Sequence, residues 1–474
     1  MSELSIIKFI KDAPESTSNS NETESSKKNS IHLKKQQGQW FVSDYFDFPA
    51  ENSEQMAKVI SPLLDLTVLG VALDSDALAQ SYNESATKAE NFYRAAKLLD
   101  PEKATQSEAS FTGTSLKISG QNNEVFVQLI IGDQAEESSA VRDIRYVRIP
   151  DGTVYLVDFS TASRENSNSN QSFPEALSVD PLDWINRDFL QISRWNIKQL
   201  RVHNYKLEPT DQQNSNPLTA NLPKFNDKTF ISTGYFRFDQ DPTNSLDRVW
   251  TLNQHLKMND SGKYEPIDIS NSEMANSTKI NKIVDLLGHL NLVNIQRKSD
   301  FMANVFRENR SFREIVQRNE SLESLGFYLA DYDLFRPNDS APEPNWLGEA
   351  GDLELLMNDG SKIHLYFGKL QKNQRIVLVT ANFDSNDLVA PTLLPLQKMS
   401  ADLSPEAKSK IEADNKAIES ENSLRKSEHL LNITEGRKKA QEKRVRWSNW
   451  FYFIDESDFQ KLKVQSSDLI KTNQ

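Results

Sequence analysis

The amino-acid sequence predicts an α+β protein: two tandem repeats, each a mainly antiparallel sheet with covering helices, plus a long charged helical insertion in the second. Three observations carry this. First, Asn52, Ser53, Met56, Lys58, Val59, Ile60, Leu63 and Leu66 match Asn276, Ser277, Ile280, Lys282, Ile283, Val284, Leu287 and Leu290 without a gap, at an offset of 224 residues throughout. Apolar residues at i, i+3, i+4, i+7 and i+10 behind an Asn-Ser pair mark one face of a capped amphipathic helix. Second, short runs of β-branched and aromatic residues alternate with Gly, Asn and Asp turn signals around both helices. Third, 474 residues exceed what one hydrophobic core usually serves. The boundaries expected are a first repeat at 1–206, a linker at 207–223 and a second repeat at 224–474.

Taken in order, residues 4–10 and 31–33 read as strands, separated by a Ser/Asn/Glu/Lys tract at 13–30 whose lack of apolar residues predicts a disordered loop. Gly38 opens a turn before a strand at 39–42, and the first repeated helix begins near Asn52. Helices follow at 76–82 and 86–99, the second stopped by Asp100-Pro101. Two hairpins come next, at 115–131 and at 145–157, the latter turning on Pro150-Asp151-Gly152. A short helix at 181–190 and a closing strand at 197–202 complete the repeat.

The linker is marked by Pro209, Pro217 and Pro223 among polar residues. The second repeat then shows strands at 229–238 and 249–252, its helix from Asn276, a hairpin turning on Asn358-Asp359-Gly360 and ending at Gly368, and a strand at 374–379. Ser404-Pro405 starts a helix, a cap residue before a proline that suits the first helical position. The charged insertion spans 404–446. Its Ile411, Ile418, Leu424 and Leu431 lie near heptad spacing, but Asp414 and Glu421 occupy the intermediate seam positions, so both a partner-helix seam and a solvated projecting helix stay open. Residues 450–454 take the place of 154–157, and 466–470 parallel 186–190.

Composition excludes several classes of function. The formal charge of −13 argues against a broad nucleic-acid surface. With no cysteine there are no disulfides, thiolate metal sites or cysteine nucleophiles. No run approaches the roughly 20 apolar residues of a membrane-spanning helix.

Gly38-Gln39-Trp40, the helix from Asn52, residues 129–133, Arg145-Tyr146-Val147-Arg148 and Val154-Tyr155-Leu156-Val157-Asp158 together resemble the domain-of-unknown-function family numbered 4340. The second repeat matches through Leu325-Gly326-Phe327, Leu365-Tyr366-Phe367-Gly368, and residues 450–455 and 467–470. The resemblance implies an extracytoplasmic domain of the kind encoded beside ABC-type export systems, commonly tethered by an N-terminal membrane helix. Residues 5–10 resemble the first strand after that helix, which this sequence lacks. The resemblance implies no catalytic residue.

The residues themselves carry no catalytic motif. His32, His203, His255, His289, His364 and His429 include no i, i+4 pair and no His-Glu-x-x-His. Phosphate-cradling glycine loops and the Gly-x-Ser-x-Gly elbow are absent, so the chain is not itself the ATPase of an export system. The stretch from Asp239 resembles the start of a calcium loop but has Trp250 where the bidentate glutamate belongs, and it reads as a turn, as do Asp331, Asp333 and Asp339. Cofactors and metals are therefore expected to be none. One basic run stands out: Arg437, Lys438, Lys439, Lys443, Arg444 and Arg446. It reads either as a contact for an acidic partner or an anionic headgroup, or as a helix end complementing its own dipole.

The expected function is a non-enzymatic accessory or structural component of a membrane-associated, ABC-type export or surface-assembly system, binding transporter subunits through protein contacts, with membrane proximity but no nucleic acid. The alternatives are an envelope polysaccharide-binding module using exposed aromatics, and a hydrolase with a site assembled between the repeats.

Overall fold

The computed structural model describes residues 6–10, 30–64, 66–74, 84–120, 124–139, 142–159, 173–209, 224–225, 228–241, 248–260, 262–269, 273–318, 322–330, 345–399 and 404–472. The expected loop at 13–29, the helix at 76–82, the acidic loop at 331–339 and most of the linker lie outside these residues. The chain is α+β, and all pairings between its described strands are antiparallel. It divides into two units, 1–186 and 187–474.

In the first unit the chain runs β1 (Ile6–Ile10), β2 (Ser30–Gln36), β3 (Gln39–Val42), β4 (Phe48–Pro49), α1 (Ser53–Leu64), β5 (Thr67–Leu73), α2 (Glu84–Ala95), β6 (Thr114–Ser119), β7 (Val125–Gln134), β8 (Ile144–Arg148), β9 (Val154–Asp158) and α3 (Phe173–Ala176). The sheet order is β4-β3-β2-β1-β6-β7-β8-β9-β5. Helix α2 stops at Ala95, short of the expected 99. Lys97 turns left-handed (φ 51°) and the Leu98 amide reaches back to the Tyr93 carbonyl at 2.7 Å, which sends Leu98 into the core.

The second unit contributes β10 (Ile197–Pro209), β11 (Lys224–Phe225), β12 (Lys228–Gln240), β13 (Trp250–Met258), β14 (Tyr264–Pro266), β15 (Glu273–Ala275), α4 (Ser277–Leu287), β16 (Leu292–Arg297), α5 (Asp300–Glu308), α6 (Arg313–Gln317), β17 (Phe327–Ala330), β18 (Asn345–Gly348), β19 (Asp352–Met357), β20 (Ser361–Gln371) and β21 (Gln374–Phe383). There follow α7 (Pro405–Ser448), β22 (Trp450–Asp455), α8 (Glu456–Leu462), α9 (Ser466–Leu469) and β23 (Ile470–Thr472). The main sheet is ordered β14-β13-β12-β10-β19-β20-β21-β22-β16. Helix α4 buries Ile280, Ile283, Val284 and Leu287, the i, i+3, i+4, i+7 set read from the sequence, each worth about 1.5–3 kcal/mol in burial. A separate core gathers Val305, Phe306 and Ile315 of α5 and α6 against Tyr366, Leu378 and Phe451 of the sheet.

Three expectations are corrected. Residues 197–202 do not close the first unit: β10 pairs with β12 and β19, so it belongs to the second sheet, and it consumes the head of the expected linker up to Pro209. The expected helix at 181–190 is only a 3-10 turn over Pro181–Asp183, because Trp184, Ile185, Phe189 and Leu190 are all buried and no single helical face would present them together. The strands β5 and β16, which follow the two repeated helices, were not expected at all.

Candidate functional site

Among the described residues of the second unit, several exposed apolar side chains lie on α7 and the segment before it. Ser404 caps the helix through its Oγ, which accepts the Ala407 amide at 3.3 Å, and Pro405 takes the first helical position. Of its 44 residues only Gly436, Ala440, Trp447 and Ser448 are buried, all near the C-terminal end. Gly436 leaves no room for a Cβ against the Asp359 carbonyl and the Phe383 ring, and the Trp447 indole donates to the Phe189 carbonyl at 2.9 Å. The helix terminus is closed from outside by Lys298. This buried ammonium donates to the Trp447 and Trp450 carbonyls (3.0 and 2.5 Å) and lies 4.8 Å from the ring centres of Phe306 and Phe451. Burial holds it well below the usual lysine range.

The N-terminal half of α7 is braced by the extended segment that follows Asp387. Asn415 donates through Nδ2 to the Gln397 carbonyl (3.0 Å) and accepts the Gln397 amide (2.8 Å), while Asn422 does the same for Leu394 (2.9 and 2.8 Å). Arg425 adds a bond to the Thr392 carbonyl at 2.8 Å. Asparagines seven residues apart stand two turns apart on one helix face, so side-chain amides satisfy a backbone that has no strand partner. The heptad-like spacing therefore divides. Ile411 and Ile418 share the half-buried stripe with the two asparagines, whereas Leu424 and Leu431 are exposed, as are Val389, Leu393 and Leu396 of the brace.

The basic run does not form one patch. Arg437, Lys438 and Lys439 are exposed on a single turn, Arg437 standing 6.0 Å from the Phe383 ring centre and Lys438 4.0 Å from Glu442. Lys443 turns inward to Ser361 Oγ (2.8 Å) and Asp359 (3.6 Å). Arg444 is half-buried, and its Nε has no hydrogen-bond partner among the described residues; burial lowers its pKa. Arg446 donates to Gln191.

Sequence reasoning missed a buried polar cluster on the sheet. His203 on β10 faces Asp352 on β19, and His364 on β20 stands one register step away, opposite Glu354. Asp352 accepts from His203 Nδ1 at 3.1 Å and from His364 Nε2 at 2.8 Å, one imidazole on each oxygen. His203 Nε2 lies 2.7 Å from the Tyr264 hydroxyl, which is also 2.7 Å from Ser232 Oγ. Burial pushes Asp352 upward, but the two imidazoles outweigh it and hold the carboxyl well below its usual range. Burial raises Tyr235 to about 12 and also pushes Tyr205, Tyr264 and Tyr366 up from the ordinary phenol value, so all four stay protonated. Both carboxylate oxygens are committed, and His203 is only 2% exposed, whereas His364 is half-buried. The only sequence signal for it was polar residues at alternate strand positions, with partners 149 and 161 residues from His203.

Among the described residues no three His, Asp or Glu side chains converge as a metal-ligand set. Asp239, the start of the calcium-like stretch, is engaged by Arg237 and Gln199, while residues 242–247 lie outside the described residues. Among the described residues no helix is long and apolar enough to cross a membrane. Comparison with known proteins gives no match: no family model, curated protein or solved structure aligns with this chain.

Proposed function

We propose that the chain is a non-enzymatic, protein-binding component made of two copies of one α+β unit, and that α7 with its brace is a contact arm inserted into the second copy. The observation that carries the binding role is the apolar surface of that arm. Leu424 and Leu431 are 54% and 57% exposed two turns apart on one helix face, and Val389 of the brace is 78% exposed.

The repeat is supported by topology. Numbered from its own first strand, and with the short β11, β15, β17, β18 and β23 set aside, each main sheet follows one order. In the first, β8 and β9 are joined by the tight turn at 149–153; in the second, the equivalent β21 and β22 are joined by the brace and α7. Details repeat as well. Asn52 donates through its amide and Nδ2 to Trp184 and Asp183 carbonyls (3.2 and 2.7 Å), and Asn276 to those of Leu469 and Asp468 (both 2.8 Å). This makes 181–185, rather than 186–190, the counterpart of 466–470.

The setting, a membrane-associated export or surface-assembly system with ABC-type transporter subunits as partners, rests on the resemblance to family 4340. The polysaccharide-binding alternative draws little support from the aromatics: Trp184, Trp250, Trp346, Trp447 and Trp450 are buried, and the exposed Trp195 has the guanidinium groups of Arg194 and Arg248 at 4.8 and 5.2 Å from its ring centre. The test is affinity capture from the native envelope fraction, comparing the full chain with its Leu424→Lys/Leu431→Lys variant. Transporter subunits recovered by the full chain and lost with the variant support the reading. Equal recovery with both removes the contact from the arm, and recovery of no transporter subunit overturns the assignment to an export system.

A further inference from the structure

Helix α4 borders a second feature of the second unit, independent of the arm. Between α4 and the α8–α9 segment lies a cleft of about 700 Å³ lined by Lys279, Lys282, Lys461 and Lys463, with Asp468 as its single carboxylate. That volume falls within the roughly 300–1,000 Å³ of small-molecule sites. Lys461 is committed to Asp458 at 2.7 Å, but Lys279, Lys282 and Lys463 have no ion-pair partner among the described residues. The charge is concentrated on a protein whose net charge is −13. Burial, then Arg375 and Lys206 nearby, push the Lys463 ammonium below its usual pKa, with Glu456 opposing them.

The gapless register between the repeated helices makes this excess informative. Positions 54, 55 and 58 of the first helix correspond to 278, 279 and 282 of the second. In the first, Lys58 pairs with Glu54 of the same helix at 2.7 Å and Gln55 Nε2 donates to the Ala176 carbonyl of α3 at 2.6 Å, so both side chains are satisfied within the unit. In the second, Glu54 is replaced by Thr278, Gln55 by Lys279, and Lys282 has lost its carboxylate. A self-neutralised helix face has become an open cationic one.

We propose that this cleft binds a phosphate-bearing small molecule, its phosphate set against Lys279, Lys282 and Lys463 and its hydroxyl-bearing body against Gln460, Gln465 and Asp468. Lysines act as point charges suited to phosphate, and the lining contains no arginine fork of the kind that grips carboxylates bidentately. A free phosphorylated metabolite and a lipid headgroup share this chemistry.

Isothermal titration of the full chain with inorganic pyrophosphate and with glucose 6-phosphate, together with co-sedimentation on phosphatidylcholine vesicles with and without phosphatidylglycerol, distinguishes the two sources. We expect saturable binding that weakens about tenfold or more in Lys282→Gln/Lys463→Gln. Thr278→Glu, which restores the carboxylate that the first helix places before its lysine, should weaken it similarly, and Lys58→Gln should leave it unchanged. These side chains are exposed or half-buried, so circular dichroism should confirm unaltered folding in each variant. Binding of the soluble phosphates assigns a metabolite, and binding only to anionic vesicles assigns a headgroup. No saturable binding to any probe, or binding undiminished in the cleft variants, overturns the proposal.

Discussion

Replacing Asn415 and Asn422 together by alanine separates two effects that the arm couples. Asparagine is a poorer helix former than alanine by about 0.5 kcal/mol or more, so the two substitutions should strengthen α7 by about 1 kcal/mol. They also delete four hydrogen bonds to the brace, at 2.8, 2.8, 2.9 and 3.0 Å. At the low end of about 0.5 kcal/mol for a solvent-exposed bond, the brace loses about 2 kcal/mol, a factor of roughly 30 in its local opening equilibrium. Hydrogen exchange at the Leu394 and Gln397 amides should therefore accelerate about 30-fold, while the melting temperature stays level or rises. Unchanged exchange at those two amides would refute the claim that the asparagines hold the segment. A fall of several degrees in melting temperature would instead mean that the helix depends on its brace.

Other perturbations test the framework. Asn52→Ala and Asn276→Ala should each cost about 1–2 kcal/mol in urea unfolding, since each removes a helix cap and a bond to the C-terminal segment of its own unit; a large inequality would count against equivalent roles. Asp352→Asn should cost about 3–5 kcal/mol at pH 7 by uncoupling the buried His203 imidazole and the half-buried His364 imidazole. The folded carboxyl titrates below its ordinary 3.8, so its contribution is complete above that pH and lost as the pH falls below it. The wild type should lose stability on acidification more steeply than the variant, and parallel curves would refute the assignment. Lys298 is depressed from its ordinary 10.5, so the unfolded chain binds its proton more readily and stability should climb as the pH rises toward that value. Paired denaturations at pH 7 and pH 10 should show the climb in the wild type and less of it in Lys298→Met.

The sequence was legible where one local rule decided the outcome. Turn residues located the hairpins, Ser404-Pro405 located the start of α7, and an Asn-Ser pair ahead of an apolar stripe located both repeated helices. It failed where pairing is distant. Thr67-Val68-Leu69-Gly70-Val71-Ala72-Leu73 has no clean alternation because it is an edge strand, with Val68 and Val71 more than half exposed and β9 as its one partner. The prolines after Leu207 signalled a linker, yet β10 runs to Pro209 because pairing with β12 persists to Lys228. The His203–Asp352–His364 cluster was hidden for the same reason: only strand register, which is a tertiary property, brings those residues opposite one another.

Where the units agree, physics rather than sequence identity explains the agreement. Lys97 and Gly326 both adopt positive φ (51° and 84°), and the next residues, Leu98 and Phe327, return amides to Tyr93 and Leu322 and enter the cores. The carbonyls just before them, of Ala96 and Leu325, press on Gly132 and Gly368, positions where β7 and β20 break register and a Cβ has no room. A glycine is thus required on the receiving strand of each unit, whereas the turn itself accepts lysine in one and glycine in the other. Two of the places where the units differ lie outside this shared arrangement: the turn between β8 and β9, and the outer face of α1. There the second unit carries α7 and, on α4, Lys279 and Lys282, which have no ion-pair partner among the described residues. Additions at such positions leave the strand order of the main sheet unchanged, and it is on these two surfaces that the proposed functions rest.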